Sequence, residues 1–167
     1  MRDMGLNTVC KEANCPNLGE CYKKHTATFM ILGNICTRNC KFCNVTTGRP
    51  LPPDENEPEN VAKAAKKLGL RHVVLTCSTR DDLPDGGAEH FAKTVRAIRR
   101  LCPGATVETL ISDMKMNTAA LDIIAEVHPD VINHNVETVK ELQKVIRPQA
   151  DYERSLNVLR YFKQKDE

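Results

Sequence analysis

Three cysteines lie within eight residues of one another, and their spacing limits the chemistry that the sequence can support. Cys36, Cys40 and Cys43 form the stretch CTRNCKFC, with the spacing C-x3-C-x2-C. A disulfide uses two cysteines, and a structural zinc ion is normally held by four ligands. An iron–sulfur cubane is held by thiolates, and three of them leave its fourth iron open to a small molecule. The spacing therefore favours such a cluster, with a zinc knuckle as the alternative.

A second set of three cysteines precedes the first. Cys10, Cys15 and Cys21 have the spacing C-x4-C-x5-C, so that six of the eight cysteines lie within the first 43 residues. The amino terminus lacks the apolar core of a signal peptide, and no apolar run approaches the ~20 residues of a membrane span. We therefore expect a cytoplasmic chain that has no membrane partner. In a reducing compartment, closely spaced cysteines are more often metal ligands or catalytic groups than disulfides.

The net charge of +2, with 28% charged residues, gives no broad basic surface. A nucleic-acid partner is therefore not expected.

The elements that must position these cysteines alternate between strands and helices. Apolar runs predict buried strands at 28–33, 72–76, 105–111 and 130–135, and helical spacing predicts helices at 61–68, 91–102, 121–127 and 152–159. This alternation indicates a parallel sheet, either an open doubly wound sheet or part of a (βα) barrel. Both folds place active sites at the carboxyl ends of strands. The CTRNCKFC stretch directly follows the first predicted strand.

Longer motifs resemble the lipoyl synthase family of radical S-adenosylmethionine (SAM) enzymes. The cysteine loop, with the aromatic Phe42 before its last cysteine, matches the C-x3-C-x2-C motif of that superfamily. The resemblance runs almost continuously from Leu6 to Leu156, in the stretches NTVCKEANCPNLGEC, TATFMILGNICTRNCKFCNVTTGRPLPPDENEP, RDDLPDGGAEHF, NHNVET and RPQADYERSL. It implies an α/β fold, a partial TIM barrel of the radical SAM type truncated to about four βα units. Residues 1–27 would be an auxiliary-cluster segment, a cysteine-rich extension, and 28–167 an incomplete barrel domain.

The resemblance also implies an activity. Lipoyl synthases are sulfurtransferases that insert sulfur at C6 and C8 of an octanoyl chain carried on a lysine of a lipoyl-carrier protein. The expected cofactors are SAM and two 4Fe-4S clusters, of which one cleaves SAM and the auxiliary one supplies sulfur. Their implied ligands are the two cysteine triplets: Cys36, Cys40 and Cys43 for the first cluster, and Cys10, Cys15 and Cys21 for the second. The implied partners are an octanoylated H protein or E2 lipoyl domain and an electron donor such as ferredoxin or flavodoxin.

Other site residues are predicted from their place at strand ends and from the resemblance. Asp81 and Asp82, after the second strand, are candidates to bind the methionine amino group of SAM, with solvated turn residues as the alternative. Asn133 and Asn135, at the end of the fourth strand, are expected near the cofactor. Phe42 is assigned to the cofactor site, or else fills the core. Arg38, His134 and Cys77 stay open between a site role and an ordinary surface or packing role.

The chain departs from the family pattern in two stretches and in length. TCSTRDD stands where the family more usually has TSVDRDD, and ISDMKMN replaces a PDFRG-like stretch. The resemblance covers only the amino-terminal half of the family, and the Arg-Ser-Ser motif that supplies a further ligand of the auxiliary cluster does not occur. The alternatives are another radical SAM enzyme with an auxiliary cluster, an inactive fragment, a half-barrel completed by a partner, and a zinc-stabilised domain.

Overall fold

The computed structural model describes residues 6–9 and 18–165 and contains a parallel β-sheet packed against helices. The strands are β1 (Asn7–Thr8), β2 (Thr26–Ile31), β3 (Ile35–Cys36), β4 (Thr46–Thr47), β5 (His72–Cys77), β6 (Thr106–Leu110) and β7 (Val131–Asn133). The helices are α1 (Leu18–Lys23), α2 (Glu57–Lys67), α3 (Ala88–Leu101), α4 (Thr118–Glu126), α5 (Gln143–Ile146) and α6 (Tyr152–Lys165). Short 3-10 turns occur at Met114–Met116 and Lys140–Leu142. No helix within the described residues is long and apolar enough to cross a membrane.

The order of the strands distinguishes between the two predicted architectures. The main sheet has the order β1-β2-β5-β6-β7, in which β2, β5, β6 and β7 are parallel and β1 is antiparallel to β2. A doubly wound sheet reverses its strand order at a switch point, whereas a (βα) barrel adds each new strand on the same side. The four parallel strands follow one another without a reversal. The predicted partial barrel is therefore confirmed, and the doubly wound alternative is not.

The two faces of the sheet differ because side chains alternate along each strand. On the outer face, large apolar side chains are fully buried in the core that the helices share: Phe29, Ile31, Val73, Leu75 and Val107. Burying one such side chain stabilises the fold by about 1.5–3 kcal/mol, and Phe29→Ala would cost about 3–5 kcal/mol. On the inner face, the register places Thr28 beside Val74 and Val74 beside Glu108. These inner-face side chains are only half-buried and are left free to line a cavity.

The helices follow the predicted pattern. In α3 the side chains of Phe91, Val95 and Ile98 are fully buried, as their helical spacing predicted. The predicted stop at Gly69 is also confirmed, because α2 ends at Lys67 and Gly69 takes a φ of 60° that glycine adopts without strain.

The boundaries of all four predicted strands differ from the structure, and those of the first and the last differ most. The predicted strand 28–33 is in fact β2, which ends at Ile31 because Leu32 and Gly33 both adopt positive φ values. The predicted strand 130–135 is shortened to Val131–Asn133.

Candidate cluster-binding site

A cavity of about 550 Å³ lies at the inner face of the sheet, at the carboxyl ends of β2, β5 and β6. Strand side chains such as Met30, Thr76 and Leu110 line it, and so do all three thiols of the loop, Cys36, Cys40 and Cys43. Because the loop follows β2, the parallel topology brings it to the edge of the sheet where sites of this fold occur. The expected position of the cysteine loop agrees with the structure.

The three thiols of the loop are free, and they differ in exposure. Cys43 is exposed, and Cys36 and Cys40 are half-buried. Within residues 6–9 and 18–165, no group of three His, Cys, Asp or Glu side chains is placed to hold a single metal ion. A mononuclear zinc site needs all its ligands on one ion, whereas in a 4Fe-4S cubane each thiolate binds a different iron. The loop offers three thiolates, one fewer than the four ligands of a structural zinc site, and this donor set fits a cluster with one open iron.

The second triplet is only partly described. Cys21 is a free, half-buried thiol in α1 and does not line the cavity. Cys10 and Cys15 lie outside the described residues. The assignment of this triplet to an auxiliary cluster stays a prediction.

Backbone hydrogen bonds attach the cysteine loop to the end of the neighbouring strand. The Thr37 amide and hydroxyl both donate to the Thr79 carbonyl, at 3.0 and 2.9 Å. The loop is also closed on itself, because the Gly48 amide donates to the Cys36 carbonyl at 3.0 Å and the two-residue strands β3 and β4 pair in parallel. Its shape is therefore set by protein contacts.

Arg38, which lies between the first two cysteines of the loop, is buried rather than on the surface. Its guanidinium donates to both carboxylate oxygens of Asp81 and to both of Asp113. Burial alone would lower the pKa of this guanidinium, but the two carboxylates raise it above its ordinary value. Arg38 is therefore a fixed cation.

Asp81 and Asp82 are both occupied by arginines. Asp81 accepts from Arg38, and Asp82 accepts two bonds from Arg80, each at 2.8 Å, which hold the pKa of Asp82 below its usual value. Both aspartates border a separate pocket of about 330 Å³ and are not among the residues that line the cavity. Their role in binding the SAM amino group stays a prediction.

The remaining predicted residues differ in their access to the cavity. Phe42 lines it and is 55% exposed, so it does not fill the core. Asn135 also lines it and donates to the Glu137 carboxylate at 2.9 Å. Asn133 lies on the inner face and donates to the Glu108 carboxylate at 3.3 Å, but it does not border the cavity itself.

Two further cavity residues carry polar atoms that lack a partner among the described residues. His134 is 5% exposed; its Nδ1 lies 2.9 Å from the Ile111 carbonyl, and its Nε2 has no partner. Burial lowers the pKa of His134, so the ring is neutral and Nε2 is an acceptor. Arg147 donates to two backbone carbonyls, but its Nε has no partner, and no carboxylate of the described part of the chain pairs with it.

Sequence reasoning left His134 undecided and gave Arg147 no role. For Arg147 the available signal was its place at the start of the stretch RPQADYERSL.

Cys77 also borders the cavity, at the end of β5. Burial, and to a lesser extent the neighbouring Cys36, raise the pKa of its thiol to about 12. This thiol is therefore protonated at neutral pH in the metal-free protein. The packing role of Cys77 in the cavity wall stays a prediction.

The fold and the loop define a class of protein. The radical SAM superfamily profile matches residues 30–166, and the chain belongs to that superfamily, which implies SAM and a 4Fe-4S cluster. Within that superfamily, the chain is similar to lipoyl synthases. The lipoyl synthase of Caldanaerobacter subterraneus subsp. tengcongensis is 60% identical over 99% of this chain and 58% of that protein. The lipoyl synthase of Rubrobacter xylanophilus is 57% identical over 99% of this chain and 52% of that protein. The mitochondrial lipoyl synthase of Nematostella vectensis is 56% identical over 95% of this chain and 54% of that protein.

The chain thus spans about half the length of the curated relatives it matches. A crystal structure of methylornithine synthase is similar in fold, with a TM-score of 0.65 and 20% identity over 83% of this chain and 41% of that one.

Proposed function

We propose that this chain is the part of a lipoyl synthase that cleaves SAM, in a sulfurtransferase that inserts two sulfurs at C6 and C8 of a protein-bound octanoyl-lysine chain. The observation that carries the proposal is the set of three free thiols around one cavity, in a chain that is 60% identical to a lipoyl synthase over 99% of its length. The proposed partners are an octanoylated lipoyl-carrier protein and a reductant such as ferredoxin or flavodoxin.

In this proposal Cys36, Cys40 and Cys43 hold a 4Fe-4S cluster at the mouth of the cavity. Such a cluster would supply the electron that splits the sulfonium of SAM, and an open coordination site for the amino and carboxylate groups of that molecule. The protein contributes thiols that are exposed or half-buried and already assembled on one loop. Cys10, Cys15 and Cys21 would hold the second cluster, as the source of sulfur.

The cavity also provides groups that suit the polar parts of SAM. Arg147 is a buried cation without a carboxylate partner among the described residues, and it suits the carboxylate of the methionine moiety. The neutral Nε2 of His134 suits an N–H or O–H donor of the adenosine moiety. Asp81 and Asp82 stay candidates for the amino group, which each would share with its arginine.

The inner face of the sheet suits an alkyl substrate. Met30, Val74 and Leu110 present apolar side chains to the cavity, between the threonines of β2 and β5. An octanoyl chain gains free energy by leaving water for such a surface. Exclusion of water from this surface would also protect a reactive carbon radical.

Single cysteine substitutions test the assignment of the triplets. The protein would be purified and reconstituted anaerobically, and iron, acid-labile sulfide and 5′-deoxyadenosine would be measured with dithionite as reductant. Cys40→Ala is expected to abolish 5′-deoxyadenosine formation, whereas Cys15→Ala should spare part of it. In a full-length lipoyl synthase, the change that matches Cys15→Ala should also remove sulfur insertion into octanoylated carrier protein. Cys102→Ser is the matched control, because Cys102 is a half-buried thiol at the end of α3, away from the cavity.

Two outcomes would overturn the proposal. Formation of 5′-deoxyadenosine by the Cys40→Ala variant would show that the triplets are wrongly assigned. One bound zinc and no iron after anaerobic reconstitution would establish the zinc-stabilised domain instead.

A further inference from the structure

The cysteine loop is attached to the fold by a buried arginine that belongs to the loop itself. We propose that Arg38 is a positioning residue, which holds the loop of Cys36, Cys40 and Cys43 in its observed conformation before any cluster binds. The inference rests on the proposed function for the identity of the metal group. The contacts that carry it involve protein atoms only.

The side chain of Arg38 is 3% exposed and uses its guanidinium in two directions. Towards Asp81, Nε donates to Oδ2 at 2.7 Å and Nη2 to Oδ1 at 2.8 Å. Towards Asp113, Nη1 donates to Oδ2 at 3.0 Å and Nη2 to Oδ1 at 2.7 Å. A planar guanidinium can form this double fork, and the single ammonium of lysine cannot.

The two aspartates belong to neighbouring strands, so Arg38 joins the loop to both. Asp81 follows the end of β5, and Asp113 follows the end of β6. The charges are balanced, because Arg154 of α6 lies 3.5 Å from Oδ2 of Asp113 and supplies a second cation for the two carboxylates. Removing Arg38 would leave the buried carboxylate of Asp113 and the partly exposed carboxylate of Asp81 poorly compensated, which is unfavourable.

The backbone of Arg38 is fixed as well. Its amide lies 3.4 Å from the sulfur of Cys36, to which it donates, and its carbonyl accepts from the Thr47 hydroxyl at 3.0 Å. Three residues further along, the Lys41 amide donates to the Ile146 carbonyl at 2.8 Å. The residues that flank Arg38 by two positions on each side are cysteines of the loop. Restricting Arg38 therefore restricts two of the three predicted ligands.

Arg80 provides a matched comparison. Its side chain is 1% exposed, forms a bidentate pair with Asp82 and donates to the Leu32 carbonyl at 3.0 Å. Arg80 lies outside the cysteine loop and does not line the cavity. A change from arginine to lysine removes the bidentate hydrogen bonding of a buried guanidinium at either position. Only the change at Arg38 should alter the loop.

Hydrogen exchange of the metal-free protein tests the positioning role without iron. Peptides covering 36–48 would be followed in wild type, Arg38→Lys and Arg80→Lys. In Arg38→Lys we expect at least about tenfold faster exchange in this segment, the scale of losing one hydrogen bond to a charged group. In Arg80→Lys the exchange of 36–48 should match wild type, although its melting temperature should also fall.

Iron retention then tests what the positioning is for. In a chain in which Cys10, Cys15 and Cys21 are replaced by alanine, the loop is the only predicted cluster site. There Arg38→Lys should release iron to a chelator about 10–100-fold faster than its parent, the range for groups that orient metal ligands. The electron paramagnetic resonance spectrum of the reduced cluster, and its change on adding SAM, should also differ from the parent, whereas Arg80→Lys should leave both unchanged.

The two measurements separate the inference from the proposed function. Equal exchange of 36–48 in wild type and Arg38→Lys would overturn the inference, and so would the same acceleration in Arg38→Lys and Arg80→Lys. Iron release from Arg38→Lys at the parent rate would overturn it too. Faster exchange in Arg38→Lys alone, in a protein that takes up no iron in any variant, would uphold the positioning of the loop and reject the proposed function.

Discussion

A single buried carboxylate at the start of α2 should control the stability of the turn that leads into the cysteine loop. Glu57 is 6% exposed, and its Oε2 lies 2.7 Å from the Leu32 amide and 2.7 Å from Nε2 of His90. Leu32 adopts a φ of 67°, a conformation that side chains other than glycine adopt only with strain. Glu57 therefore satisfies two buried donors and supports a strained residue at once.

The Glu57→Ala variant leaves both donors without a partner. Each such loss costs about 1–3 kcal/mol, so we expect the free energy of unfolding to fall by about 2–6 kcal/mol. For a chain of this length that corresponds to a drop in melting temperature of roughly 4–24 °C. Glu57→Gln keeps an acceptor for the Leu32 amide and should lose less.

Thermal and urea unfolding of the metal-free protein, followed by far-ultraviolet circular dichroism under anaerobic conditions, measure the effect. Glu55→Ala is the matched control, because Glu55 is an exposed carboxylate two residues earlier and should change stability by less than about 0.5 kcal/mol. If Glu57→Ala and Glu55→Ala unfolded at the same urea concentration, the assigned role of Glu57 would be wrong.

Four further predictions follow from the same structure. Gly87→Ala should lower the free energy of unfolding in urea by about 1–3 kcal/mol, since the added carbon would clash with a methyl group of Leu32 and Gly87 has a φ of 93°. Gly104→Ala should be nearly neutral, because its added carbon meets no atom within 4 Å, and equal losses would refute the clash. In the metal-free chain, mass spectrometry should show iodoacetamide modifying the exposed Cys43 long before Cys77, whose thiol stays protonated; the reverse order would contradict this. Burial alone would raise the pKa of Asp113, but its partner Arg38 holds that pKa below the usual value. As pH falls, the Asp113 carboxylate is therefore protonated in the unfolded chain before it is protonated in the folded one. Its contribution to stability should be present above roughly pH 4 and lost below it, and Asp113→Asn should flatten that acid slope in urea unfolding; an unchanged slope would exclude the contribution. Finally, a polypeptide of these 167 residues alone should give little or no lipoyl product when octanoylated carrier protein is analysed by mass. The reason is that β7 keeps one unpaired edge among the described residues, where a barrel would continue. A stoichiometric yield would disprove this prediction.

The fold could be predicted because its signals are local and repeated. Apolar runs of strand length alternate with apolar stripes at helical spacing, such as Phe91, Val95 and Ile98. The topology rules for parallel sheets then limit how these elements can be connected. The short pairing of β3 with β4 was not predicted, because two residues in each strand carry no periodic pattern. The left-handed turn at Met114–Met116, with φ values from 42° to 58°, was also missed, since no glycine there marks it.

The site was predictable where residue type and spacing decide the chemistry. The thiols of Cys36, Cys40 and Cys43 lie around the cavity as expected. The burial of Arg38 and Arg147 could not be read from the sequence, because a charged side chain is exposed by default and its partners come from distant segments. Asp113, for example, is 75 positions from Arg38, and only the folded sheet brings them together.

The division of each strand into an outer and an inner face has a consequence for how such a protein changes over generations. Residues that hold the fold together, such as Phe29 and Leu75, point away from the cavity, while their half-buried neighbours Thr28 and Thr76 point into it. Mutations of the residues that point into the cavity therefore alter what it accepts with little cost to folding. Mutations of the residues that point away from it alter the stability of the fold with little effect on the cavity. Selection can therefore act on the reactivity of the cavity and on the stability of the fold almost independently, because the two sets of residues alternate along the same strand.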